Sequence, residues 1–108
     1  MQKCLSKEAV AQFRKEGYFF PVPLLSGAEV SEIRGQLEAF EAEQGYPLEG
    51  GQRSHAHLLF PWLDSLVRYP KILDVVEDLV GPDILCWGSI FWTKEAHSAS
   101  FVSWHQDI

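Results

Sequence analysis

The chain is short of positive charge, of cysteine and of long apolar runs, and each shortage removes a class of function. Lys and Arg number 9 against 15 Asp and Glu, which leaves a net charge of -6. A nucleic-acid partner would call for a basic face to neutralise phosphates, so none is expected. The two cysteines, Cys4 and Cys86, stand far apart with no CxxC and no His at zinc-site spacing, so neither a disulfide framework nor a structural zinc is indicated. No stretch approaches the roughly 18 consecutive apolar residues of a membrane helix. The opening residues Met1-Gln2-Lys3-Cys4-Leu5-Ser6-Lys7-Glu8 turn charged before a run of signal-peptide length develops. These two features predict a cytoplasmic protein with no membrane partner. Internal repeats and low-complexity tracts are also absent.

What is present is an ordinary globular composition, 46% hydrophobic and 22% charged, in 108 residues, enough for one domain with a modest core. Ser6 is placed to cap a helix through about Glu16, with Gly17 to stop it. Tyr18-Phe19-Phe20 reads as a short strand ended by Pro21-Val22-Pro23. Ser26 and Glu29 form a capping box with Leu25 and Val30 as its staple, so a helix is expected from Gly27, carrying Val30, Ile33, Leu37 and Phe40 toward Gly45. The stretch from Tyr46 to Ser54 should be a loop, beside which Arg53, His55 and His57 are candidate functional residues. Pro61 and Pro70 each suit the first turn of a helix, the second ending at Gly81-Pro82.

From Asp83 the pattern changes. Ile84 to Thr93 is rich in aromatic and β-branched residues without a helical stripe, which predicts a strand. Lys94 to Ser100 is a polar turn, and a second strand should open at Phe101 and pair antiparallel with the first. Trp62, Trp87, Trp92 and Trp104 concentrate the aromatic content toward this half, where a pocket is expected. In an extended Phe101-Val102-Ser103-Trp104-His105-Gln106-Asp107, side chains alternate, so His105 and Asp107 share a face and Trp104 and Gln106 take the other. One imidazole and one carboxylate side by side are two of the three protein ligands of a non-haem Fe(II) site, the third being a second His.

The sequence resembles the N-terminal part of the phytanoyl-CoA dioxygenase family of Fe(II)- and 2-oxoglutarate-dependent oxygenases. The residues that carry the likeness are Phe13-Arg14-Lys15-Glu16-Gly17-Tyr18, the segment from Tyr69 to Ile84, Lys94-Glu95, and Val102-Ser103-Trp104-His105-Gln106-Asp107. The resemblance implies an α+β fold: helices over residues 1–82, then the first core strands of a double-stranded β-helix, or jelly-roll, over 83–108, incomplete in this chain. It implies His105 and Asp107 as iron ligands. It also implies Gln106, Ile90 and Arg53 as residues around the 2-oxoglutarate co-substrate, Arg53 across a loosely aligned loop.

The implied activity is hydroxylation of a small molecule, because halogenating relatives lose the carboxylate that Asp107 supplies. Two departures from the family pattern stand out. The distal His and the Arg that pairs with 2-oxoglutarate lie downstream of the motif in relatives and have no counterpart here; His55, His57 and His97 all precede it. Ala96-His97-Ser98 stands where relatives carry Pro and Gly. The chain is accordingly expected to be a fragment inactive alone and prone to self-association through open sheet edges. The alternative is a non-catalytic, partner-binding module. A zinc hydrolase built on the same pair would need a further ligand-rich motif that the chain lacks.

Overall fold

The computed structural model describes residues 4–107. Residues 1–3 of the charged opening, and Ile108, lie outside the described part. Four helices form in order, α1 (Lys7–Glu16), α2 (Gly27–Gln44), α3 (Pro61–Val67) and α4 (Pro70–Val80), with single 3-10 turns at Gly50–Gln52 and Ala56–Leu58.

Local chemistry sets the helix ends. Ser6 accepts the Ala9 N–H at 3.1 Å, and Gly17 closes α1 in the left-handed region, its N–H reaching Phe13 O. Only glycine takes that backbone shape without a steric cost. At α2 the capping box closes in both directions, Glu29 N to Ser26 Oγ at 3.2 Å and Ser26 N to Glu29 Oε2 at 2.7 Å. Pro61 and Pro70 occupy the first turns of α3 and α4, where their missing N–H groups cost nothing.

Two packing units follow. α1 lies on α4, burying Ala9, Val10 and Val75. The Cys4 and Leu5 N–H groups both donate to Asp78 Oδ2, at 2.7 and 2.8 Å, which ties the start of the chain to α4. The larger core gathers Leu48, Ala56, Phe60 and Leu63, with Leu37 and Phe40 of α2 and Phe91 against it. Phe40 meets Phe60 edge-on at 4.7 Å, a favoured aromatic geometry. Leu48 can be buried within a loop because its backbone is satisfied: Glu41 Oε1 accepts its N–H at 2.8 Å, and its carbonyl accepts from Arg53 Nε at 2.9 Å.

The strands expected from the sequence do not form, and the α+β jelly-roll start is overturned. Tyr18-Phe19-Phe20, 84–93 and 101–107 run without a sheet, and every regular element among the described residues is helical. One antiparallel bridge, Ser54 with Ile90, is all the β pairing there is among them. The composition of Ile84 to Thr93 favours extended backbone, but a strand also needs a row of partner groups. Residues 89–91 find theirs on the 53–56 loop, not on 101–107, through Phe91 N to Arg53 O at 3.0 Å and Ala56 N to Ser89 O at 3.4 Å. No hydrogen bond joins 84–93 to 101–107, so the antiparallel pair and the sheet edges predicted with it are likewise absent among the described residues.

Candidate functional site

His105 and Asp107 do come together. The stretch that carries them is without helix, and the two side chains meet with Nε2 and Oδ1 3.3 Å apart. The other ring nitrogen, Nδ1, lies 2.9 Å from the Ser103 carbonyl. A carbonyl only accepts, so that hydrogen bond requires Nδ1 to carry a proton. In the neutral ring Nε2 then carries a lone pair 3.3 Å from a carboxylate oxygen, two acceptors close together. The arrangement is satisfied by a cation between or on them, either a second proton on the imidazole or a metal ion. A ligating His commonly has its other N–H held by a carbonyl in this way, which fixes the ring.

The spacing fits a shared metal. With bonds of about 2.1 Å, two donors at right angles on one ion stand about 3.0 Å apart, and at a tetrahedral angle about 3.4 Å. One imidazole and one carboxylate suit Fe(II) or another borderline divalent ion. No group of three or more His, Cys, Asp or Glu that could hold a metal forms among the described residues. The pair is also open: the His105 and Asp107 side chains are 60% and 96% exposed, and Trp104 between them and Ser103 is wholly so.

Of the three residues expected around 2-oxoglutarate, Arg53 and Ile90 are tied to other parts of the chain. Arg53 donates from Nε to Leu48 O and from Nη2 to Thr93 Oγ1 at 2.8 Å, so its guanidinium joins the 46–54 loop to the 88–93 segment. Ile90 bridges Ser54 and is half exposed. Gln106 is exposed beside the pair, on the motif itself. The hydrogen bonds of Arg53 and those of His105 share no residue.

A second polar contact had no signature in the sequence. His57 Nδ1 lies 2.7 Å from Ser89 Oγ, which also accepts the His57 N–H at 3.2 Å. The partners are 32 residues apart, and nothing local links them. His55, its neighbour, has a left-handed backbone (φ 52), and a Cβ placed on Gly88 would touch its ring at 3.4 Å. His97 is also left-handed (φ 62), in a turn closed by Ser98 N to Glu95 O.

A third feature is a cleft beside the core. A cleft of about 380 Å³ opens between α2, α3 and Tyr69, walled by Leu25, Ile33, Trp62 and Leu66, with Glu29 at its rim. Tyr69 Oη and Lys71 Nζ both donate to Glu29. The Tyr69 hydrogen bond first, then the Ser26 N–H and Lys71, hold the Glu29 carboxyl down at about 2 from an ordinary 4.5. No member of the His105 segment lines this cleft.

No helix among the described residues is long and apolar enough to cross a membrane. In comparisons with known proteins, no family model, no curated protein and no solved structure matches the chain.

Proposed function

We propose that the chain is part of a non-haem Fe(II)- and 2-oxoglutarate-dependent oxygenase that hydroxylates a small molecule, and that His105 and Asp107 are two of its three protein ligands to iron. The observation that supports this most is the Ser103 carbonyl on Nδ1, which leaves the Nε2 lone pair unused 3.3 Å from a carboxylate oxygen. Iron bound there would supply the means of activating O2 with 2-oxoglutarate as the co-substrate. His105 would present the lone pair, Asp107 would bring the negative charge that draws a divalent cation, and Gln106 stands next to both. The third ligand has to come from outside the described residues or from another protein. Water has to be excluded by something that covers Trp104, because the described chain leaves the pair in solvent. A non-catalytic binding module is the second reading, favoured by the exposure of Trp87, Trp92 and Trp104.

Metal titration separates the two. Co(II), a stable stand-in for Fe(II), should bind one to one, and adding 2-oxoglutarate should tighten it. His105→Ala and Asp107→Asn should each weaken binding by more than about tenfold, since loss even of a residue that only orients a ligand costs 10–100-fold. Affinity should fall toward acid pH because proton and metal compete for the same nitrogen. Equal binding by wild type and both variants would leave the module reading standing.

A further inference from the structure

A serine hydroxyl held against an imidazole is the basic unit of nucleophilic catalysis by serine. Ser89 and His57 form such a unit, with Oγ 2.7 Å from Nδ1, and the same oxygen accepts the His57 backbone N–H at 3.2 Å. A hydroxyl has one hydrogen to give and two lone pairs to fill. With the backbone N–H on one lone pair, Nδ1 is the acceptor within reach of the hydrogen, so Oγ–H donates to Nδ1 and Nε2 carries the ring proton. That tautomer lets the imidazole take the hydroxyl proton as a general base, and 2.7 Å lies inside the range such a transfer needs.

The surroundings add to the pair. Backbone contacts fix Ser89 beside the loop that carries His57: Ser89 O accepts the Ala56 N–H at 3.4 Å, and Ile90 bridges Ser54. A second imidazole stands next to the serine. A Cβ placed on Gly88, the residue before Ser89, would lie 3.4 Å from His55 Nε2. His55 holds a left-handed backbone (φ 52), a shape that costs energy for a residue with a side chain and that gathers at functional sites. Ser89 and His57 are half-buried, so a small reagent can reach them, and Gly88 puts no side chain in its way. Ile84 to Thr93 contains no charged residue, and Leu58, Trp87 and Ile90, which flank the pair along the chain, are apolar and exposed. These neighbours suit a neutral substrate with a small apolar group, because a charged one would find no partner among them.

We infer that Ser89 is an acyl-accepting nucleophile with His57 as its general base, and that its substrate class is a neutral ester of a short apolar acid. Ser89 Oγ bonds to the acyl carbon while its proton passes to His57 Nδ1. The tetrahedral adduct collapses with cleavage of the ester C–O bond, and His57 returns the proton to the departing alkoxide. Water, deprotonated by the same imidazole, then adds to the acyl carbon and releases the acid and free Ser89. His55 Nε2, when it carries its hydrogen, is the group placed to donate to the oxyanion. The inference does not depend on a metal at His105 and Asp107.

Reaction of the purified chain with diisopropyl fluorophosphate, read by peptide mass spectrometry, tests it. The expected result is one adduct per chain, on Ser89, with hydrolysis of p-nitrophenyl butyrate falling as the label goes on. Ser89→Ala should lose both. His57→Ala should slow both by more than about 100-fold, the scale of a general base, with the helical circular dichroism unchanged, and imidazole added to the buffer should restore part of the rate. A wild-type chain that takes no label overturns the inference. So does a label on another residue, or labelling of His57→Ala at the wild-type rate.

Discussion

Arg53 has two hydrogen bonds to fixed partners, and one of them satisfies the carbonyl of Leu48, the most deeply buried large side chain. That makes it a tie between loop and extended segment before it can serve any ligand. Arg53→Met keeps much of the apolar stem but leaves the Leu48 carbonyl without its donor, a loss of about 1–3 kcal/mol. Urea denaturation should show it as a lower midpoint with the slope unchanged. Unaltered stability would mean that these two hydrogen bonds contribute little to the fold. The approach of His105 to Asp107, though not a role for it, was legible from spacing, because side chains two apart share a side wherever backbone is extended. The Ser103 carbonyl was not, since every residue has one and only the fold says which is in reach. The tie from Arg53 to Thr93 spans 40 residues and the contact from His57 to Ser89 spans 32, distances over which no local pattern runs.

Among the elements, all four helices could be read from the sequence, and the strands could not. Helix ends are set by groups within a turn of one another: Ser6 with Ala9, Ser26 with Glu29, proline at the first position, glycine just after the last. A strand depends on a partner that can lie anywhere in the chain, so Ile84 to Thr93 has strand composition without a strand. The contact between the starts of α2 and α4 is set by Glu29, which serves at once as cap of α2 and as acceptor for Tyr69 and Lys71. Its carboxyl is depressed from 4.5 to about 2, so the folded chain holds this proton less tightly than the unfolded one. The contribution is full above about 4.5 and is lost as pH falls toward about 2. Tyr69 is shifted the other way, raised from 10.0 chiefly by the hydrogen bond to Glu29, so its part is present below that value and is lost as pH climbs past it. Thermal melts across the acid range should therefore show wild type losing more stability than Glu29→Gln between pH 4.5 and about 2. Parallel curves would mean that the α2 to α4 contact contributes little.

At the scale of the whole molecule the chain divides into a helical body, with its larger core under α2 and α3, and a shorter aromatic stretch, 84–107, without helix. The body explains its own folding. That stretch carries His105 and Asp107, and on it Trp87, Trp92, Phe101 and Trp104 are exposed apolar side chains of the kind that marks interaction sites. The resemblance that pointed to iron rests on the order of short motifs, most of whose residues lie on or beside α1 and α4, while Lys94-Glu95 and the motif ending at Asp107 fall where a sheet was expected and none forms. The pairing of His105 with Asp107 survives that correction because it needs only extended backbone.

Paramagnetic broadening therefore tests the central claim most directly: two-dimensional amide NMR spectra of the tag-free chain, titrated anaerobically with Fe(II), respond even to weak binding. The account predicts broadening that begins at residues 103–107 and disappears from them in His105→Ala. Broadening that begins elsewhere, at His55 and His57 for instance, or that is the same in the variant, would contradict it.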